Sequence, residues 1–472
     1  MSKKKKSSPD CAESAPRGLV VAGLGGGSGK SVVAVGLAAA LARRGLQMAP
    51  FKKGPDYIDA GWLQLAAVNP CYNLDPYLMP PAALEDSFAR HSRGADVVLV
   101  EGNRGLYDGV DAKGSYSTAE LAIRLGLPVL LVVDCTKTTR TVAALVLGCQ
   151  QLDPRVAIKG VILNRIGSAR HERIVREAVE QSTGVPVLGA LPRLKKDVFP
   201  QRHLGVTPCP EHAEAEGAVA SLAVMAETYL DLDSILGMMA KIPLPAPASP
   251  STRTAATSPL PLRIGILKDA AFQFYYAENL KALADEGAEL VEISALRASE
   301  LPEVAALYIG GGFPETSARQ LAANSSFRAS LRERAEGGLP IYAECGGLIY
   351  MGESMLLDGE EFPLVGFFPA KFSLERKPQA HGYTILESEG ANPYYPLGTE
   401  IRGHEFRYSR ILEWRGETAA LALRVKRGVG IVDGRDGLVR GKVLALYTHV
   451  HAVGTPLWAK SLVGQARLYQ QR

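Results

Sequence analysis

The run Gly23-Leu24-Gly25-Gly26-Gly27-Ser28-Gly29-Lys30-Ser31 places a lysine and a hydroxyl directly behind a glycine-rich turn that follows an apolar strand. Glycines let a backbone curl until successive N–H groups point at phosphate oxygens, and the helix opening at Lys30 adds its dipole. In that arrangement Lys30 reaches the β- and γ-phosphates and the Ser31 hydroxyl ligates Mg²⁺. Strict phosphate-loop spacing wants glycine at position 24; here it sits one residue earlier, at Gly23. Gly23, Gly27 and Gly29 are the backbone positions expected to hold ATP. Further on, FKKGPDYID closes a second apolar strand with Lys52, Lys53, Asp56 and Asp59. A polar cluster at a strand end is where open α/β sheets bind ligands, although a carboxylate there also suits a helix N-cap. Glu101 ends the strand ADVVLV in the place of a metal-side carboxylate, and Gly102-Asn103-Arg104-Gly105-Leu106-Tyr107-Asp108-Gly109 reads as a loop.

A second stretch, AECGGLIYM, sets Cys345 between an apolar run and two glycines. Local sequence leaves two readings open: a buried cysteine that happens to precede a glycine turn, or a turn whose purpose is to present the sulfur.

The elements around these residues are those of α/β architecture. GLVVAGL, ADVVLVEG, PVLLVVD and VAIKGVILNR are near-continuous apolar strands alternating with helical patterns, which indicates a parallel sheet covered on both faces. LRIGILKD, AELVEIS, VAALYIGGG and LPIYAEC restart the scheme, and the turn-rich stretch from Phe362 to Leu446 predicts antiparallel additions. Between the halves, KIPLPAPASPSTRTAATSPLPLR has the composition of an extended linker. The expected organisation is a disordered basic tail (1–17), an ATP-binding domain (18–240), a proline-rich linker (241–262) and a second domain (263–472), with no internal repeat.

Bulk properties exclude several classes. The chain has 472 residues, 47% of them hydrophobic and 22% charged, with a net charge of +4. Lys3 to Lys6 supply four positive charges, so the body is near neutral and nothing points to nucleic acid. Six cysteines without a CxxC pair are neither a disulfide framework nor a zinc site, which fits a reducing cytoplasm. The N-terminus lacks the apolar region of a secretory signal, and the longest apolar runs are strand-length, so no membrane is expected.

The stretched phosphate loop, FKKGPDYID, NLDPYLM, EGNRGLYDG, GVILNR and LPRLKKDVFPQRHLGV occur in that order. Together they resemble the cobyrinate a,c-diamide synthase family, whose N-terminal domain is similar to dethiobiotin synthetase, and the resemblance covers nearly the whole chain outside tail and linker. It implies two doubly wound α/β domains, the second a class I glutamine amidotransferase domain. It further implies that Glu101 helps Ser31 hold Mg²⁺, that Asp56 and Asp59 serve phosphoryl transfer, and that Asn164 faces the adenine. Lys53, Tyr57, Arg104 and Asp108 are then the residues expected at the substrate, with Lys52 either beside them or on a solvated face. Cys345 becomes the nucleophile that attacks the glutamine carboxamide. A strand, a sharp Cys-Gly-Gly turn and a helix form an elbow that exposes the sulfur near a helix N-terminus. Gly311 and Gly312, in GGGFPE, and Gly346 are the expected oxyanion donors. His449, in YTHVH, is the expected base; His451 stands where many amidotransferases carry an orienting glutamate, so the third member is open. His404, in GHEFRYS, is read as structural or substrate-facing.

The activity implied is amidation of the a and c carboxylates of a corrin through acyl phosphates, as a step in cobalamin biosynthesis. Ammonia would come from glutamine, and siroheme or nickel-sirohydrochlorin is the alternative macrocycle. The partners are small molecules, a tetrapyrrole polycarboxylate and L-glutamine, with a homodimer allowed. A partition-type ATPase is a rival of another class. Such proteins carry a signature lysine early in the loop, where this chain has Leu24 and Gly25, and they lack an amidotransferase domain.

Overall fold

The structure, a computed structural model, describes residues 15–193, 201–202, 205–206, 208, 214–245, 261–417 and 420–472. The basic tail to residue 14, most of the linker and much of LPRLKKDVFPQRHLGV lie outside the described residues.

Seven strands form the first sheet: β1 (Arg17–Gly23), β2 (Met48–Lys53), β3 (Tyr72–Leu74), β4 (Val97–Glu101), β5 (Val129–Asp134), β6 (Ile158–Ile166) and β7 (Val187–Pro192). They lie in the order β3-β2-β4-β1-β5-β6-β7, every pair parallel, with Ala240–Lys241 added antiparallel beside the start of β1. Their continuous apolar character follows from burial on both faces. Helix Lys30–Arg43 covers one face and meets helix Ala215–Tyr229 so closely that a Cβ at Gly36 would stand 2.8 Å from the Leu222 carbonyl. The carboxyl ends of β2, β4 and β1 are adjacent in this order, so their following loops must converge.

The second unit is built on five parallel strands, in the order Ala288–Ile293, Leu262–Leu267, Ala306–Ile309, Ile341–Glu344 and Val443–Leu446. Helix Ser325–Glu336 packs Phe327 and Leu331 into one apolar cluster of this unit, and helix Leu457–Gln470 packs Trp458, Leu462 and Val463 into another. Burying each such side chain contributes about 1.5–3 kcal/mol. The sheet continues antiparallel through Arg435–Arg440, Leu421–Arg427, Ala380–Ser388, Glu400–Arg407 and His449–Val450. The antiparallel additions expected from sequence are therefore present, and a separate four-stranded sheet accompanies them. Val443–Leu446 and His449–Val450 are almost contiguous in sequence yet belong to different parts of the sheet order, so the antiparallel part curls back on the parallel part. That curl places His449 at the carboxyl end of the strand carrying Glu344.

The segment Asp75–Leu84, which contains most of NLDPYLM, belongs to the second unit. Tyr77 stacks on Tyr383 with ring centroids 4.1 Å apart, and the Tyr383 hydroxyl donates to Asp75 Oδ2 at 2.9 Å. Asp75 Oδ1 in turn accepts from the N–H groups of Tyr77 and Leu78 and fixes the turn. Among the described residues no helix is long and apolar enough to cross a membrane.

Candidate functional sites

In the first unit the glycine-rich turn links β1 to helix Lys30–Arg43. Gly27 and Gly29 have φ of 75° and 92°, a left-handed conformation that glycine adopts without the Cβ penalty. The Ser28 hydroxyl donates to the Gly25 carbonyl at 2.6 Å, and Lys30 Nζ donates to the same carbonyl at 3.0 Å. Asn164 donates its side-chain amide to the Ser28 carbonyl at 2.9 Å. A Cβ at Gly29 would stand only 2.1 Å from that amide nitrogen, so Asn164 braces the turn itself.

Ser31 Oγ lies 2.8 Å from Glu101 Oε1 and 3.2 Å from Asp59 Oδ1, joining the ends of three strands in one cluster. Lys52 is 1% exposed and binds both acids, 2.6 Å from Asp59 Oδ2 and 3.1 Å from Glu101 Oε1. It occupies neither a solvated face nor a loop. Asp56 Oδ1 accepts from the Asp59 N–H at 2.9 Å, so Asp56 holds the start of helix Ile58–Ala67 while Asp59 faces Ser31. Burial and the Asp59 charge push Glu101 up to about 7, and the same two causes push Asp56 up to about 6. Asp59 also resists ionisation through burial, but Lys52, Ser31 and Lys30 outweigh it and hold its carboxyl below the usual range. Burial, then the charge of Lys52, lowers Lys30.

Of the expected substrate residues, Lys53 is buried in β2, Tyr57 is half-buried, and Arg104 and Asp108 are exposed in the loop after β4. Asp108 Oδ2 accepts from the Gly105 N–H at 2.7 Å, and a Cβ at Gly105 would stand 2.7 Å from the Leu24 carbonyl. The loop after β4 therefore packs on the phosphate turn. Glu101 Oε2 is buried with no hydrogen-bond partner beside the Ser31 hydroxyl, an arrangement that fits a divalent cation. Among the described residues no group of three or more His, Cys, Asp or Glu is placed to hold a metal ion.

In the second unit Cys345 joins strand Ile341–Glu344 to helix Gly346–Met351 with φ 48° and ψ −98°. A non-glycine residue held there costs on the order of 1–3 kcal/mol and persists only where its surroundings impose it. They do: the Cys345 N–H donates to the Leu446 carbonyl at 2.8 Å, and a Cβ at Gly347 would stand 2.6 Å from the Ile309 carbonyl. A Cβ at Gly346 would stand 3.1 Å from the Gly312 nitrogen, which sets the GGG turn against the elbow. A Cβ at Gly311 would stand 2.4 Å from His449 Cε1, so only glycine leaves room for the imidazole.

His449 interacts with Cys345 and Glu344 together. Burial works against its protonation, but the Cys345 charge and hydrogen bond and the Glu344 carboxylate prevail and push the imidazole up to about 10. His404 stacks on His449 with centroids 4.9 Å apart, and burial followed by the charge of His449 holds it well below the usual histidine range. It also contacts the Tyr276 hydroxyl at 3.2 Å, as suits a structural neighbour of the base. Asp436 Oδ1 and Oδ2 accept from the N–H groups of Tyr447 and Thr448 at 3.0 and 3.3 Å, fixing the turn that leads into His449.

Residues 19–204 match the CobQ/CobB/MinD/ParA nucleotide-binding domain, and residues 263–456 match the CobB/CobQ-like glutamine amidotransferase domain. Cobyrinate a,c-diamide synthase of Magnetococcus marinus is 43% identical over 450 residues, covering 94% of this chain and 95% of its own. The proteins of that name from Archaeoglobus fulgidus and Dehalococcoides mccartyi are each 40% identical, covering 95% and 94% of this chain and 97% of their own lengths. The chain belongs to the cobyrinate a,c-diamide synthase family. It is accordingly a glutamine-dependent carbon–nitrogen ligase with a nucleotide-binding domain.

Within that family frame, the roles of two charged residues at the sites are not legible from sequence. Lys52 was placed near the substrate, and its role as the buried cation between Asp59 and Glu101 had no local signal beyond a lysine at the end of an apolar strand. Glu344 was read only as part of an apolar run. An acid in the short buried strand IYAE, directly before the elbow, was the signal available.

Proposed function

We propose that this chain amidates the a and c carboxylates of a corrin such as cobyrinate, using ATP to activate each acid and L-glutamine to supply the nitrogen. The observation that carries the reading is that one chain holds both half-sites. Lys30, Ser31, Asp59 and Glu101 gather around a phosphate turn, and Cys345 and His449 meet at an elbow. Similarity over 94% of this chain to a relative named for that substrate supports the choice of ring.

A free carboxylate resists ammonia because its carbonyl is electron-rich and oxide is no leaving group. Transfer of the γ-phosphoryl group to a carboxylate oxygen releases ADP and supplies that leaving group; ammonia then adds to the carbonyl and phosphate departs, leaving the amide. In this scheme the N–H groups around Gly23, Gly27 and Gly29 and the Lys30 ammonium hold the phosphates. Ser31 and Glu101 would hold Mg²⁺, which supplies charge neutralisation at the transferring group. Asp59 keeps Ser31 and Lys52 in place, and Asp56 orders the helix that carries Asp59. Lys53, Tyr57, Arg104 and Asp108 are proposed to meet the macrocycle, and Asn164 the adenine side of the nucleotide while it braces the turn.

Glutamine is opened at the elbow. The Cys345 sulfur attacks the carboxamide carbon, the N–H groups of Gly311, Gly312 and Gly346 receive the oxyanion, and His449 delivers a proton to the departing ammonia. Water, deprotonated by His449, then cleaves the thioester to glutamate. The free thiol this requires suits a cytoplasmic location.

The test is to incubate the purified protein with ATP, Mg²⁺, glutamine and, separately, cobyrinate, hydrogenobyrinate, siroheme and nickel-sirohydrochlorin, and to follow product masses. A monoamide of cobyrinate should precede the diamide. Reaction with siroheme alone would move the substrate to another ring, and reaction with a small dicarboxylate but no ring would overturn the macrocycle. In the same assay Cys345→Ser should lose glutamine-dependent amidation and keep the ammonia-dependent reaction.

A further inference from the structure

We propose that Glu344, the residue directly before the nucleophile, orients the catalytic imidazole by holding His449 Nδ1, and so serves as the third member of the cysteine–histidine site. This rests on Cys345 and His449 being the glutaminase pair.

Glu344 Oε2 lies 3.5 Å from His449 Nδ1, and both side chains are almost wholly excluded from solvent. A neutral imidazole has one donor and one acceptor nitrogen, and the partner of one ring nitrogen fixes the tautomer and direction of the other. A carboxylate at Nδ1 leaves Nε2 for the thiol. His451, two residues beyond the base, does not fill this place: its Nε2 faces Glu278 Oε2 at 3.7 Å and its ring packs on Tyr276.

The carboxylate is itself held from several sides. Oε1 accepts from the Val450 N–H at 3.2 Å, and the Tyr308 hydroxyl donates to Oε2 at 3.2 Å. Asn279 then links the Tyr308 hydroxyl, at 3.3 Å, to the Val450 carbonyl, at 2.8 Å, and accepts from the Ala452 N–H at 2.7 Å. One buried network therefore fixes both the acid and the strand carrying the base. The position before the cysteine is suited to this. In the parallel sheet Glu344 pairs with Leu446, three residues before His449, so the residue that ends the nucleophile strand lies beside the chain that delivers the base. An acid on the adjacent strand can thus do what a carboxylate two residues after the histidine would do.

The charged and titratable groups facing His449 are Cys345 on the elbow, Glu344 on the strand before it, and His404 stacked on the ring. Cys345 and Glu344 favour the protonated imidazole, and the proximity of His404 does not add a positive charge because burial keeps it neutral. Removing the Glu344 charge should therefore shift the alkaline limb of the glutaminase profile to lower pH.

The experiment compares Glu344→Gln and Glu344→Asp with the full-length wild-type enzyme, measuring kcat and KM for glutamine across pH, ammonia-dependent amidation and thermal unfolding. Glu344→Gln keeps the size and one acceptor oxygen but loses the charge. The expected result is a glutaminase kcat lower by about 10- to 100-fold, by analogy with the loss when the hydrogen-bond partner that orients a metal-bound imidazole is removed. KM for glutamine should change little, the alkaline limb should move down, and ammonia-dependent amidation should persist. Glu344→Asp, which restores the charge at shorter reach, should recover the alkaline limb at least in part. A wild-type kcat and profile in Glu344→Gln would overturn the proposal. So would an equal loss in both variants with an unmoved limb, because that is the outcome of a purely structural role. Retention of glutamine-dependent amidation by Cys345→Ser would instead overturn the nucleophile assignment, and the third member would fall with it.

Discussion

Replacing Lys52 by methionine should unmask the charge imbalance at the phosphate site. Lys52 is 1% exposed and is bound to Asp59 at 2.6 Å and Glu101 at 3.1 Å, with a third bond to the Gly102 carbonyl at 3.2 Å. Methionine fills a similar volume but leaves two neighbouring acids without their cation. Breaking a buried pair by removing one partner costs about 3–5 kcal/mol. At about 2–4 °C per kcal/mol for a unit of this size, the midpoint should fall by about 6–20 °C. The deficit must depend on pH. Glu101 titrates near 7, above its ordinary 4.5, so its contribution to stability is full below the ordinary value and is lost as pH rises through about 7. Lys52 opposes that loss, and it is the main influence holding Asp59 low against burial. The gap between variant and wild type should therefore already be present at pH 5, where Asp59 is ionised, and be widest above pH 7.5, where Glu101 ionises as well; Mg²⁺ should close part of it at high pH by standing in for the ammonium. Thermal unfolding at both pH values, with hydrogen exchange of peptides from residues 48–67 and 97–105 to assign the transition, reads the effect. A midpoint unchanged at high pH, or a gap that does not vary with pH, would refute the reasoning.

Lys30→Ala should abolish amide synthesis with either glutamine or ammonia while glutamine hydrolysis persists, since its ammonium serves only the phosphate site; normal ATP-dependent synthesis would remove the loop from the mechanism. Gly311→Ala would force a methyl to within 2.4 Å of His449 Cε1. Displacement of the base should lower glutaminase activity by about 10²-fold, the effect of roughly an ångström of misplacement, with ammonia-dependent synthesis intact; an unaffected glutaminase would show that the imidazole is not held against that glycine.

What the sequence made legible is what local chemistry determines. The parallel strands are readable because burial on both faces demands unbroken apolar runs. The phosphate turn is readable because its glycines, lysine and serine are contiguous. The elbow is different: strand, cysteine and two glycines are local, but the strain at Cys345 is imposed by Leu446 and by Ile309, and the room for His449 by Gly311, all distant in sequence from the residue each serves. The division of labour between Asp56 and Asp59 was also hidden. Both follow the same strand, and only the helix start decides that Asp56 takes the Asp59 N–H while Asp59 turns to Ser31.

The residues whose roles the sequence hides share a physical character. Lys52 and Glu344 are charges inside apolar strands, and a charge there is intelligible only through its partners, since an unpaired one would cost several kcal/mol. One partner of each lies on or just beyond a neighbouring strand: Glu101 on the strand beside Lys52, His449 just beyond the strand beside Glu344. Parallel order brings the carboxyl ends of such strands together without bringing them near in sequence, so a fold of this kind assembles its sites from the residues a linear reading handles least well. A buried charge at or next to the last position of an apolar strand is thus itself a pointer: its desolvation must be compensated by neighbouring groups, and the compensating group will stand among the functional residues gathered there. Lys52 and Glu344 both satisfy that rule, one at each site.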